Sequence, residues 1–230
     1  MIKRVTILLS LLLLGFVFLH MVVNYAPRTA LNPISEHYVT AGPEELGAAN
    51  IVTAVLVTYR GLDTLGEVAV LFISAAGVGL LLRRRVGAAE EEEGPRRRVS
   101  SELVRTAVQF LLPLIFVLGI YVFINGHLTP GGGFQGGAVL ASGIMLLLLA
   151  DPDTSLNHGI VRLLESFSGF GYVVVGVVGL VLAGGFLDNR FLDLGTFGEL
   201  FSAGAMPIIY ILIGLKVGTE LSAVLERMKD

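Results

Sequence analysis

From Val5 to Val23 the chain runs for nineteen residues without an aspartate, glutamate, lysine or arginine. A helix rises about 1.5 Å per residue, so roughly 20 apolar residues cross the ~30 Å hydrocarbon core of a bilayer. Comparable runs follow Glu67 as far as Leu82, then cover Ala107–Ile124, Gly136–Ala150, Phe170–Leu187 and about Glu199–Leu225. Lipid offers no partner for a stray backbone N–H or C=O, so runs of this length must close their hydrogen bonds as helices. Apolar residues make up 54% of the chain, charged residues 15%, and the mean hydropathy is +0.79, more than a soluble core of this size requires. The expectation is an all-α integral membrane protein with about six transmembrane helices. Lys3 and Arg4 ahead of the first run also fit a signal peptide, but the run is long for one and no A-x-A-like site follows it. It is expected to remain as the first span.

The segments between the spans are read from length and polarity. Asn24–Gly47, with Pro27, Pro33 and Pro43, predicts an extended loop outside the membrane. Ala48–Tyr59 is apolar but only 12 residues long, which predicts a short re-entrant or interfacial helix. Asp151–Gly169 is polar and amphipathic, and Asp188–Gly198 is a polar loop. Basic residues set the orientation. With the N-terminus in the cytoplasm, Lys3, Arg4, seven arginines from Arg83 to Arg105, Arg162, Arg227 and Lys229 fall inside, twelve of the sixteen. Arg28, Arg60 and Arg190 fall outside, and Lys216 falls within the membrane. Both termini are therefore expected in the cytoplasm. The stretch Arg83–Thr106, carrying Glu90–Glu93 and Gly94-Pro95, reads as a solvated seam. It divides the chain into a membrane unit over 1–85, a charged cytoplasmic linker over 86–106 and a four-helix membrane unit over 107–230.

Composition also excludes chemistry. The chain has no cysteine, hence no disulfide, iron–sulfur cluster or thiolate zinc site. His20, His37, His127 and His158 are scattered without metal-ligand spacing. No metal, cofactor or nucleic acid is expected, and redox chemistry nearby would belong to another protein.

Charges within spans are costly, roughly 2.5–3.5 kcal/mol for a lysine or aspartate on insertion scales, and usually face protein or water along an ion path. Lys216 lies deep in the sixth span, with Glu220 one turn on along the same face. The pair reads either as part of an ion path or as a snorkelling lysine neutralised by its neighbour. Arg60, Asp63 and Glu67 share one helical face, where Glu67 can carry a proton or cation with Arg60 tuning it. The competing reading makes Thr64 and Glu67 a capping box, and Thr196 with Glu199 repeats that pattern before the last span.

Asn125–Gly137 reads NGHLTPGGGFQGG. It lacks the lysine of a phosphate loop and follows a helix-length apolar segment, so it is a glycine-rich break between two spans. His127 within it is a proton shuttle or a hydrogen-bonding anchor. Gly132/Gly136, Gly133/Gly137 and Gly214/Gly218 are GxxxG pairs that let helices approach closely in lipid.

These motifs carry a resemblance. Phe123–His127, Pro130–Gly137, Leu194–Thr196 and Ile213–Gly218 make the part of the chain from about Ser101 to Asp230 similar to the MnhB-type subunit of Mrp sodium/proton antiporters. Asn50–Val52 and Tyr59–Glu67 make the first part resemble the C-terminal part of the antiporter A subunit and the E-type subunit of membrane-bound hydrogenases. The resemblance implies a multi-pass, non-catalytic subunit in a prokaryotic cell membrane. It implies, as partners, the lipid bilayer and the other membrane subunits of an Mrp-type antiporter, a membrane-bound hydrogenase or a ferredoxin-linked complex, with Na+ and H+ as transported ions. The ion-path candidates are then Glu67, Asp63, Arg60, Lys216, Glu220 and His127. The alternative is a structural scaffold with no ion-path residue.

Overall fold

The computed structural model describes residues 2–27, 30–86 and 100–229. Arg28 and the charged stretch 87–99, both read above from the sequence, lie outside the described residues. The described part is helical, and six of its helices are long and apolar enough to cross a membrane. The chain divides into two compact units, residues 1–36 and 37–230.

In the first unit α1 (Ile2–Val23) exposes apolar side chains all round, none of its spanning window being buried within the chain. A helix apolar on every face belongs in lipid or against other membrane helices. Asn32 accepts from the Ser35 N–H at 2.7 Å and, with Pro33 as the next residue, starts α2 (Pro33–Thr40). In the second unit Pro43 sits in the first turn of α3 (Gly42–Leu46). The loop expected over Asn24–Gly47 thus contains two short helices, because each has a proline preset at its start.

Asn50 caps α4 (Ile51–Thr53), which runs directly into a π-helical turn, Ala54–Tyr59. The apolar run is therefore a short helix, too short to span. It leads into α5 (Gly61–Val86). Since α5 already begins at Gly61, Thr64 does not cap it; its hydroxyl donates to the Leu56 carbonyl at 2.7 Å across the junction.

Ser101 caps α6 (Glu102–Ile124), so this helix starts five residues before Ala107 and takes up the end of the expected linker. The glycine break leads to α7 (Gly133–Ala150). Asn157, accepting from the Gly159 and Ile160 N–H groups, starts α8 (His158–Leu182), so much of the polar segment before Phe170 is the first part of the fifth span. The chain then makes an irregular cap with one 3-10 turn (Asn189–Phe191) before α9 (Met206–Lys229). Thr196 and Glu199 lie within this cap, joined by a turn in which the Glu199 N–H donates to the Thr196 carbonyl at 3.1 Å. They do not cap the last helix, as the sequence pattern predicts. Glycines at positive φ (Gly195, Gly198 and Gly204) bend the chain there and postpone helix entry to Met206.

α9 is the central helix, packed against α5, α6, α7 and α8. The glycines explain how close it comes. A Cβ on Gly137 would stand 2.8 Å from the Gly214 carbonyl oxygen and from the Val217 Cβ. One on Gly133 would meet the Ile213 Cβ at 2.6 Å, and one on Gly136 the Gly119 carbonyl at 2.6 Å. Gly214 leaves room for the Phe123 ring, and Gly218 faces the Gly137 carbonyl. Gly132 lies against the Tyr210 ring instead. Overfilling such a contact costs roughly 1–3 kcal/mol or more. Gly137→Leu should accordingly lower the thermal stability of the detergent-solubilised protein and the yield of folded material. Gly66→Ala, at a site with nothing within 4 Å of the added carbon, should leave both unchanged.

Candidate functional site

The glycine break leaves carbonyls that no helix satisfies, and the α4 segment supplies their donors. The Asn50 Nδ2 donates to the Gly126 and Thr129 carbonyls at 2.9 and 3.0 Å, and the Thr53 hydroxyl donates to Gly126 at 2.7 Å. The Asn50 N–H donates to the His127 carbonyl at 2.9 Å, and the Tyr210 hydroxyl donates to the Thr53 oxygen at 2.8 Å. Asn50 uses its other end, Oδ1, to accept from Val52 and Thr53 N–H groups. One asparagine thus fixes the start of α4 and the break between α6 and α7.

His127 is fully buried beside this joint, its Nε2 3.4 Å from the Glu199 carbonyl. Burial pushes its pKa below the ordinary imidazole value, against nearby backbone carbonyls that favour the charged form. It is held as a neutral ring.

A second knot lies beyond it. The buried Asn189 donates to the Leu46 and Ala203 carbonyls, both at 2.9 Å. Near it Arg190 forks onto Asp188, with Nη2 2.6 Å from Oδ2 and Nε 2.9 Å from Oδ1. Burial alone would raise the Asp188 carboxyl, but the bonds from Arg190 outweigh it and hold the pKa below the usual range. The Tyr59 hydroxyl donates to Glu45 at 2.5 Å. Burial, reinforced by that carboxylate, pushes Tyr59 up to about 12.

The site inside the membrane is built on α9. Lys216 is 8% exposed and Glu220 1%. Their Nζ and Oε1 stand 2.6 Å apart, one helical turn along the same face. Glu165 of α8 reaches the same ammonium from the other side at 3.3 Å. The Phe72 ring of α5 lies beneath it, 4.9 Å from Nζ to the ring centre. The Nζ contact to Glu220 is an ion pair at close range but lies off hydrogen-bond alignment, and both Glu220 oxygens otherwise lack a hydrogen-bond partner among the described residues. Beside them a cavity of about 110 Å³ is lined by Phe72, Ala75, Ala76, Glu165, Glu220, Ala223, Val224 and Arg227. Glu165 is the member the sequence reading missed. It lies in a segment that reads as polar and amphipathic, and its one signal is a carboxylate on that run.

The other charged candidates are elsewhere. Arg60 and Asp63 form an ion pair with each other one turn apart, both largely exposed. Glu67 is also exposed, and its charge acts on Tyr172, which is buried with no hydrogen-bond partner for its hydroxyl among the described residues. The structure does not bring Arg60 and Asp63 to the Lys216 group.

Six helices long and apolar enough to span, with a buried ion-paired lysine on α9, define a polytopic α-helical membrane protein with charge in its interior. The particular family follows from comparison. A family model described as the domain related to the MnhB subunit of Na+/H+ antiporter matches residues 103–223, and the chain belongs to that family. A second model, that of the MbhE component of MBH, matches residues 4–99. A chain in the structure of the membrane-bound sulfane sulfur reductase, an archaeal respiratory membrane complex, is 40% identical, with a TM-score of 0.83 and coverage of 99% of this chain and 98% of that one. A chain of the Mrp complex from Dietzia is 25% identical with a TM-score of 0.78 over 98% of this chain, which spans 26% of that longer one. An uncharacterized protein of Methanocaldococcus jannaschii is 32% identical over 75% of this chain and 74% of its own length.

Two expectations test the joint. Asn50→Ala takes the donor from the Thr129 carbonyl, leaves Gly126 with the Thr53 hydroxyl alone and removes the α4 cap, and should cost about 1–3 kcal/mol, read as a fall of several degrees in Tm. Asn50→Asp, which keeps the helix-capping oxygen but donates nothing, should fall nearly as far. For His127 the folded pKa lies below the unfolded one, so the unfolded chain binds the extra proton as pH drops below about 6.5. The wild-type protein should lose stability between about pH 7.5 and 5.5, and His127→Gln should lose less over that window in the same thermal measurement.

Proposed function

We propose that this chain is a membrane subunit of a multisubunit, Mrp-type cation/proton-translocating complex, contributing both to the ion path and to assembly. It works in a prokaryotic cell membrane, with both termini on the cytoplasmic side. Its partners are the other membrane subunits of an antiporter or of a respiratory complex that contains an antiporter module. Any redox centre of such a complex sits in those other subunits. Residues 1–85 and 107–230 act as an E-like and a B-like unit joined by the charged linker. The two family models match residues 4–99 and 103–223 and so meet within that linker, which supports a division there.

The observation that carries the ion-path reading is the buried Lys216 between Glu165 and Glu220. A salt bridge in such a place adds little net stability, since desolvation offsets much of the attraction. Charge kept at membrane depth against that cost marks a path. On this reading the path runs along α5, α8 and α9, from Glu67 with Asp63 and Arg60 near its entrance, past Tyr172, to Glu165, Lys216, Glu220 and Arg227. His127, neutral and enclosed by carbonyls, belongs to the framework. The scaffold reading has its own support in α1, whose exposed apolar surface suits packing against other membrane helices.

Lys216→Met separates the two. If the path runs here, everted vesicles carrying the variant complex should lose sodium-dependent proton movement while native gels show the complex intact. Glu67→Gln should lower the rate at the entrance. Full transport by the assembled Lys216→Met complex would favour the scaffold.

A further inference from the structure

Lys216 stands at contact range between two carboxylates. Fully ionised, Glu165 and Glu220 carry two negative charges against the one positive charge between them, and Glu220 is 1% exposed. Neither Glu220 oxygen has a hydrogen-bond partner among the described residues, and the carboxyl lines a cavity of about 110 Å³. That volume holds water, for which roughly 10–15 Å³ and two to four polar partners suffice. Among the described residues, three charged groups lie beside Glu220. They are Lys216 on its own helix, Glu165 from α8, and Arg227, which lines the cavity further along α9. From its described residues α5 contributes Phe72, Ala75 and Ala76, none of them titratable, and Gly79, whose missing side chain leaves the space occupied by the Arg227 guanidinium.

We propose that Glu220 exchanges a proton with water in this cavity, and that Lys216 moves between Glu220 and Glu165 as it does so. When cavity water delivers a proton to Glu220, the carboxylate becomes a neutral acid and its attraction for the ammonium ends. Nζ, which already donates to Glu165 at 3.3 Å, then draws in on that remaining anion. Loss of the proton to water restores the 2.6 Å pair. No bond other than the O–H forms or breaks, and the group's charge changes by one. Gly169 on α8 leaves room for this motion, since even an added Cβ would stand 3.5 Å from the Lys216 Cε. The transferred species is a proton and not a metal cation. Among the described lining side chains, oxygen comes from two carboxylates, the others being hydrocarbon and a guanidinium, and an ammonium already occupies the anionic centre.

Glu220 as the proton carrier rests on the ion-path reading and gives it chemistry at one residue, yet the test needs no transport. A hydrophobic carbodiimide modifies protonated carboxyls in apolar surroundings, and mass spectrometry of the purified complex locates the adduct. Modification at Glu220 is expected, declining as pH rises and unaltered by Na+. Lys216→Met removes the cation that favours the ionised form, so the decline should move up by about one pH unit or more. Glu165→Gln leaves Lys216 with Glu220 alone, so the decline should move down. No modification of Glu220 at any pH, protection by Na+, or a profile unmoved in Glu165→Gln would each overturn the proposal. If Glu220 titrates as described while Lys216→Met transports normally, the switch stands and the ion-path reading falls. Lost transport with an inert Glu220 would overturn the switch and leave the ion path standing.

Discussion

The structure depends on how a broken backbone is satisfied where lipid offers nothing. Between α6 and α7 the chain leaves helical geometry for the glycine break, and the freed carbonyls of Gly126, His127 and Thr129 take their donors from Asn50 and Thr53. Unpaired, each buried group would cost about 1–3 kcal/mol. The donors come from a helix too short to cross the membrane, held in place by its own cap and by Tyr210 of α9. Part of the chain resembling one protein thereby completes the backbone of a part resembling another. A joint of this kind explains how two family matches form a single compact unit over residues 37–230.

With that joint fixed, the glycines bring α9 against α7 at contact distances a Cβ would forbid, and α9 becomes the helix about which four others pack. Its central position buries Lys216 and Glu220. The same packing therefore sets both the stability of the fold and the charge of its interior. Glu165 and Phe72 enter from neighbouring helices, so the charged group exists only when α5, α8 and α9 are assembled together.

The spans were legible in the sequence because lipid imposes one rule over about 20 residues, and each apolar run became a helix. The pairing of Lys216 with Glu220 was legible for a similar reason, being a separation of four on one helix. The helix starts were less so. Thr64 and Thr196 carry the local pattern of a cap, yet α5 had already begun at Gly61, and α9 waits until Met206. A cap motif reports local preference, and tertiary bonds decided both cases: Thr64 to the Leu56 carbonyl, and Glu199 with Ser202 inside the turn between α8 and α9. Glu165 was invisible as a partner of Lys216 because 51 residues separate them, and no period within one helix encodes that distance. Asn50 was quoted only as part of a family signature. Its work, bridging 76 residues to Gly126, is a contact that the sequence does not announce.

An interior charge group that moves protons must meet water. A density map of the assembled complex in lipid, sharp enough to place ordered solvent, tests this directly. Water beside Glu220, continuous toward Arg227, is the result expected. A dry cavity closed by side chains or by a lipid tail, with Lys216 and Glu220 sealed away from solvent, would contradict it.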